Sequence, residues 1–359
     1  MKKIKLLKSV NGKSQIKHVV FWPPFLLLLA AVVLNFIDQE TFISVTENAR
    51  GWVLDTFGWL FSLGAFFMLM LCIAIYFSPF SRVIIGGPQA KPILTKWRWF
   101  TIALCTGMAI GVVLWCAAEP MYYLSDPPKT LQIAPNSPEA ALFAKSSMYL
   151  HWSVIPYSLY SVVGLTFAFA YYNMRKPFSL GSPLWPLLGR RCEGVIGHGI
   201  DALCLYALVA GMAGSLGGGL LLLSGGLNHM FGIESGKEIW ALIALAIVGT
   251  FTISAVTGLM KGIRVLSSFN TLLFVCMLIF VFIFGPTRFI LSFGVESLGN
   301  FLGNFFQKSL FTGAAASDTW AHKWTIFHWA NCVEQKETPF FDVVRRYTNE
   351  KVLTQNGNC

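Results

Sequence analysis

Residues 57–77 read FGWLFSLGAFFMLMLCIAIYF, twenty-one positions without a single Asp, Glu, Lys or Arg. The hydrocarbon core of a bilayer is about 30 Å thick and takes about 20 apolar residues in helix to cross. Lipid offers no partner to a backbone amide, so a run of this kind must be helical. Six further runs share its character: 19–37, 99–118, 146–174, 202–233, 239–260 and 265–287, all free of charged residues. Two of them, 146–174 and 202–233, are longer than one bilayer thickness and must tilt or project. The sequence therefore predicts an all-α polytopic membrane protein with about seven full transmembrane helices.

Composition excludes the alternatives. Of 359 residues, 55% are hydrophobic and 12% charged, half the roughly 25% charged of soluble domains. The net charge of +10 does not point to nucleic acid, because Lys and Arg sit in short patches between the apolar runs. That arrangement sets membrane topology instead. With the N-terminus inside, sixteen Lys and Arg fall on the cytoplasmic side and seven on the other, so the N-terminus is placed in the cytoplasm. Residues 1–18 form a basic cytoplasmic tail with no small-residue cleavage site after the first apolar run. Residues 19–331 form the transmembrane domain. The eight cysteines are scattered without a CxxC pair, which argues against a disulfide framework or a zinc site. No nucleophile–base set or phosphate-binding glycine loop is present, so the chain does not read as an enzyme and no cofactor is expected.

Beyond the seventh run, Leu298, Phe301, Leu302, Phe305, Phe306 and Leu310 recur at three- and four-residue spacing. This is the period of an amphipathic helix near 297–311, lying in the membrane interface or serving as a short buried connector. An eighth span starts at Trp324 and stops. Residues 332–359 then carry eight charges and form a polar C-terminal tail.

Four segments carry a family resemblance. The first is Gly107-Met108-Ala109-Ile110-Gly111 with Ala118-Glu119-Pro120-Met121-Tyr122-Tyr123 behind it. The second is His151-Trp152-Ser153-Val154-Ile155-Pro156-Tyr157-Ser158-Leu159-Tyr160, running on into Ser161-Val162-Val163-Gly164-Leu165. The third is Gly194-Val195-Ile196-Gly197-His198-Gly199-Ile200-Asp201, followed by Ser215-Leu216-Gly217. The fourth is Trp324-Thr325-Ile326-Phe327-His328-Trp329-Ala330. In this order, over roughly 18–331, they resemble the betaine/carnitine/choline transporter family.

The resemblance implies a twelve-helix, inverted-repeat (LeuT-like) fold, of which this chain covers about seven and a half helices. It implies a secondary transporter of quaternary-ammonium solutes (glycine betaine, carnitine or choline) in the bacterial inner membrane, often a homotrimer. Substrate contacts carried over are Trp152, Tyr157, Tyr160 and Trp329, with the backbone of Gly107, Met108, Ala109, Ile110 and Gly111. Aromatic faces suit a trimethylammonium group, which has no hydrogen to donate. Na+ as coupling ion carries over to Cys105 and Met108, although Leu208 and Met212 stand where hydroxyls of a second sodium site are expected. Structural readings stand beside these: an aromatic stripe packs helices, Gly107 and Gly111 fit the small-residue packing pattern, and Glu119, Asp201 and His151 pair or cap neighbouring elements. Asn331 and Cys332 replace the family's further tryptophans, so the expectation is a truncated transporter that is inactive alone. The alternative is a non-transporting membrane regulator or assembly partner with a genuine soluble tail.

Overall fold

The computed structural model describes residues 17–90, 94–107, 110–256 and 259–330. Met108, Ala109 and the polar tail after residue 331 lie outside the described residues. In chain order the helices are α1 (His18–Ile37), α2 (Gln39–Phe77), α3 (Lys96–Gly107), α4 (Ile110–Ser125), α5 (Pro138–Trp152) and α6 (Val154–Ala168). Then come α7 (Trp185–Leu188), α8 (Val195–Phe231), α9 (Lys237–Val256), α10 (Leu259–Phe284), α11 (Thr287–Gly303) and α12 (Phe305–Ser309). A last helical stretch contains a π-helical turn, His322–Ile326. No strand occurs among the described residues.

Five stretches are long and apolar enough to cross a membrane: His18–Ile37, Gln39–Phe77, Pro138–Asn173, Val195–Phe231 and Leu266–Phe284. The other two predicted runs correspond to α3 with α4 and to α9, each of which adjoins undescribed residues. Large apolar side chains stay uncovered along these helices, among them Leu272, Leu273, Met277, Phe280 and Ile283 of α10. Soluble monomers rarely leave so continuous an apolar surface open to water; lipid is its natural solvent.

Several boundaries differ from the sequence reading. Helix α2 begins at Gln39, well ahead of the apolar run at 57, and its 39 residues extend beyond the thickness of a bilayer at about 1.5 Å per residue. Its start is fixed by Asp38, which accepts from Thr41 N at 3.0 Å and Thr41 Oγ1 at 2.6 Å. The second difference is a break at Ser153 in the run 146–174, where φ is −116° and ψ −121°. Pro156 has no N–H to offer the carbonyl of Trp152, and its ring crowds that turn. The chain therefore ends α5 at Trp152 and restarts.

The expected amphipathic helix starts earlier, at Thr287, and breaks at Asn304. Ser297 and Phe301 face inward while Leu302 and Phe306 stay exposed. It lies against α5, where Tyr149 donates to the Gly294 carbonyl at 3.2 Å. Elsewhere α1 packs on α8, α2 on α6, α3 on α10 and α4 on α5. Asp201 ties α8 to the preceding loop, accepting from Ser179 Oγ at 2.7 Å and Gly181 N at 3.3 Å.

Where α2 crosses the last helical stretch, Gly58 leaves room for the π-helical turn. A Cβ there would stand 3.2 Å from Ile326 Cδ1 and 3.3 Å from His322 Nε2, and Ile326 is fully buried. Gly58→Leu is expected to cost about 1–3 kcal/mol by overpacking, whereas Gly64→Ala, with nothing within 4 Å, should be near neutral. Thermal unfolding of the two purified variants in the same detergent checks this; equal midpoints would contradict the contact.

Candidate functional site

The site grows from the junction of α4, α5 and the last helical stretch. Glu119 is placed by α4 four residues before Tyr123, one turn on, so both project on one face. Glu119 is 3% exposed and Tyr123 fully buried. A carboxylate so buried needs donors on its oxygens, and α5 supplies them. His151 Nδ1 lies 2.6 Å from Glu119 Oε1, the Tyr123 hydroxyl donates to the same oxygen, and Trp152 Nε1 donates to Oε2 at 2.7 Å. The far nitrogen of His151, Nε2, sits 3.0 Å from Thr325 Oγ1. Since Nδ1 faces a carboxylate it carries a proton, and the Thr325 hydroxyl donates to Nε2 when the ring is neutral.

Aromatic rings enclose this polar centre. Tyr123 lies 4.9 Å from Trp320 and 5.0 Å from Trp324, and His328 stacks on His151 at 5.2 Å. Trp324 also meets Tyr122 at 5.5 Å and Trp115 at 6.1 Å. Asp318 anchors the approach to the last stretch by accepting from Thr130 N and Oγ1, both at 3.0 Å, and from Trp320 N at 2.9 Å.

The predicted site residues take distinct places. Trp152 ends α5 at the break, half-buried, edge-on to His328 at 4.8 Å. Trp329 approaches the same imidazole at 5.5 Å, but it is 1% exposed and packs among Ala65, Leu69, Leu150, Ile155 and Phe301. Tyr157 and Tyr160 stand edge-on to each other at 6.1 Å on α6, Tyr157 exposed. Gly107 closes α3, while Ile110 and Gly111 open α4. Cys105 turns its thiol onto α10, 3.4 Å from the Ser267 carbonyl and 3.5 Å from Thr271 Oγ1. Sequence reasoning did not single out Tyr123, Thr325, Trp320 or His328. Tyr123, Thr325 and His328 lie inside the motif segments, which gave them no role; Trp320 joins them only in three dimensions.

This geometry defines a multi-pass helical membrane protein with a buried polar centre ringed by aromatics. The sequence matches the profile of the betaine/carnitine/choline family of transporters over residues 19–336, and the chain belongs to that family. It is 32% identical over 321 residues to the glycine betaine transporter OpuD of Bacillus subtilis, covering 88% of this chain and 62% of that relative. With the ectoine/hydroxyectoine transporter of Virgibacillus pantothenticus it shares 31% identity over 89% of its own length and 63% of the relative's. Glycine betaine transporter 1 of Vibrio parahaemolyticus is 32% identical, with 85% and 58% covered. The chain thus spans about three-fifths of the length of these relatives.

Glu119→Ala takes the acceptor from Tyr123, His151 and Trp152 together. Removing one partner of a buried pair is worth about 3–5 kcal/mol, and a loss of that order is expected in thermal unfolding, with a smaller one for Glu119→Gln. If Glu119→Ala unfolds at the wild-type midpoint, the polar centre does not hold the three segments together.

Proposed function

We propose that this chain forms the solute-binding part of a secondary transporter for quaternary-ammonium or related zwitterionic solutes, such as glycine betaine, carnitine or choline. The observation that carries this reading is Trp152: an indole placed at a helix break inside the bilayer and pinned through its N–H to Glu119. A ring held this way presents a fixed π-face, and such faces attract a trimethylammonium group where hydrogen bonds cannot. Tyr157 and Tyr160 of α6 supply two more rings beyond the same break, and Trp329 stands edge-on to His328. The relatives named as glycine betaine and ectoine transporters support the solute class. In this reading the protein sits in the bacterial inner membrane with its N-terminus in the cytoplasm, and solute moves by alternating access. The backbone from Gly107 to Gly111 takes the anionic end of the solute.

Na+ belongs to the reading as coupling ion, held by carbonyl oxygens around Cys105 and Met108, because hard cations prefer oxygen to the thiol. Replacing Na+ by K+ should weaken glycine betaine binding; an unchanged affinity removes Na+ from the proposal.

Binding of glycine betaine to the purified chain in detergent, followed by tryptophan fluorescence, tests the central claim. One cation–π contact contributes about 0.5–2 kcal/mol, so Trp152→Ala should raise Kd by roughly 2- to 30-fold, while Trp152→Phe should lose less. A well-folded Trp152→Ala protein with wild-type affinity would sink the assignment.

A further inference from the structure

A cavity opens beside the polar centre, with a volume of about 380 Å³ and walls from α5, α11, α12 and the last helical stretch. Among the described residues its ionisable lining side chains are Lys308 and Glu139; the other polar ones are Ser147, Asn300, Asn304, Gln307 and Thr325. Lys308 is the unusual member. Its ammonium lies 4.1 Å from the centre of the Phe143 ring and 3.4 Å from Ser147 Oγ, and no carboxylate comes within 4 Å of it among the described residues. A half-buried ammonium with a ring face and one hydroxyl as its near neighbours is poorly compensated. Lys308 belongs to α12, outside the membrane-spanning stretches, and burial pushes its ammonium down to about 8. Supplying an anion to that point is the most direct way to stabilise the charged form.

We propose that this cavity is a second binding site for a small zwitterionic solute, in which Lys308 holds the solute carboxylate. Three features favour a solute over other anions. The cavity falls within the roughly 300–1,000 Å³ of small-molecule sites. Glu139 shares the lining with Lys308, which suits a ligand carrying both charges and disfavours a simple anion. Asn300, Asn304 and Gln307 stand on the same stretch of α11 and α12 and can donate to a second carboxylate oxygen. The site also touches the first one. Thr325 lines the cavity and hydrogen-bonds His151, which reaches Trp152 through Glu119. The cavity and the aromatic site thus share Thr325, from which hydrogen bonds run through His151 and Glu119 to Trp152. The identity of the solute rests on the proposed function; the anion-binding role of Lys308 rests on the cavity alone.

The test is competitive acylation of lysines in the intact, detergent-purified chain at pH 8, read peptide by peptide by mass spectrometry. Saturating glycine betaine is expected to slow labelling of Lys308 at least threefold while Lys145 and Lys323 label unchanged. Choline, with the same trimethylammonium group and no carboxylate, should give no protection. Because the carboxylate needs the protonated amine, affinity read from the protection titration should fall about tenfold from pH 7 to pH 9. Equal protection by choline, or none by glycine betaine, overturns the proposal. So does protection by inorganic phosphate or phosphatidylglycerol micelles but not by glycine betaine, which would make the site one for phosphate groups. The same labelling in Trp152→Ala separates the two readings. Retained protection there, with wild-type fluorescence binding, would retire the Trp152 assignment and leave the Lys308 site standing.

Discussion

A carboxylate buried inside a protein has to be met by hydrogen-bond donors, and Glu119 imposes that condition on everything around it. Its own helix provides only Tyr123; the imidazole and the indole come from α5. Meeting the requirement fixes the rotation of α4 against α5, because His151 and Trp152 are adjacent in sequence and reach the two carboxylate oxygens separately. The imidazole then has one nitrogen left, and Thr325 takes it, which draws the last helical stretch into register. Buried ion pairs add little net stability compared with apolar packing, but they tolerate few alternative arrangements. In this protein three segments far apart in sequence share one solution.

The break at Ser153 depends on the same junction. Pro156 makes a continuous helix unfavourable there, and a backbone interruption in lipid leaves polar groups that must be satisfied locally. The Ser153 hydroxyl donates to the Tyr149 carbonyl, and the final residue before the break, Trp152, is held by Glu119. A kink that the sequence forces by sterics is thus stabilised by the polar centre next to it. The consequence is positional. Trp152 and the Tyr157–Tyr160 pair lie on opposite sides of a bend, so their rings need not follow the rotation of one straight helix.

Much of the architecture was legible in the sequence because lipid restricts it so severely. Uncharged runs of about 20 residues have few fates, and His18–Ile37 was located to within one residue by hydropathy alone. The long start of α2 was not, because residues 39–56 are polar enough to read as a loop; Asp38 and the continuing helix carry that segment beyond the apolar run. Hydropathy also passed over the break at Ser153, since an apolar composition says nothing about a missing N–H. The site divided in the same way. Trp152, Tyr157, Tyr160 and Trp329 were nominated by motif, but a motif does not tell which face a ring presents. Trp329 packs into a core with α2, α5 and α11 residues, a placement that only the approach of Ala65 and Leu69 on α2 creates.

Two charged side chains, Glu119 buried and Lys308 half-buried, are handled in opposite ways, and the contrast separates scaffold from site. Glu119 is saturated: three donors converge on its two oxygens, so a ligand would have to displace one of them to gain access. Such a group orders its surroundings. Lys308 is left with a ring face and a single hydroxyl, at the wall of an open cavity, with three neutral amides close by in sequence. An ammonium without an anion is better solvated in water than against a protein wall, and the flexible lysine stem makes that retreat easy. That the side chain instead reaches inward over Phe143 makes sense when an anion arrives from outside the fold. The first charge therefore fixes how α4, α5 and the last helical stretch meet, and the second lines the neighbouring cavity, with Thr325 shared between them.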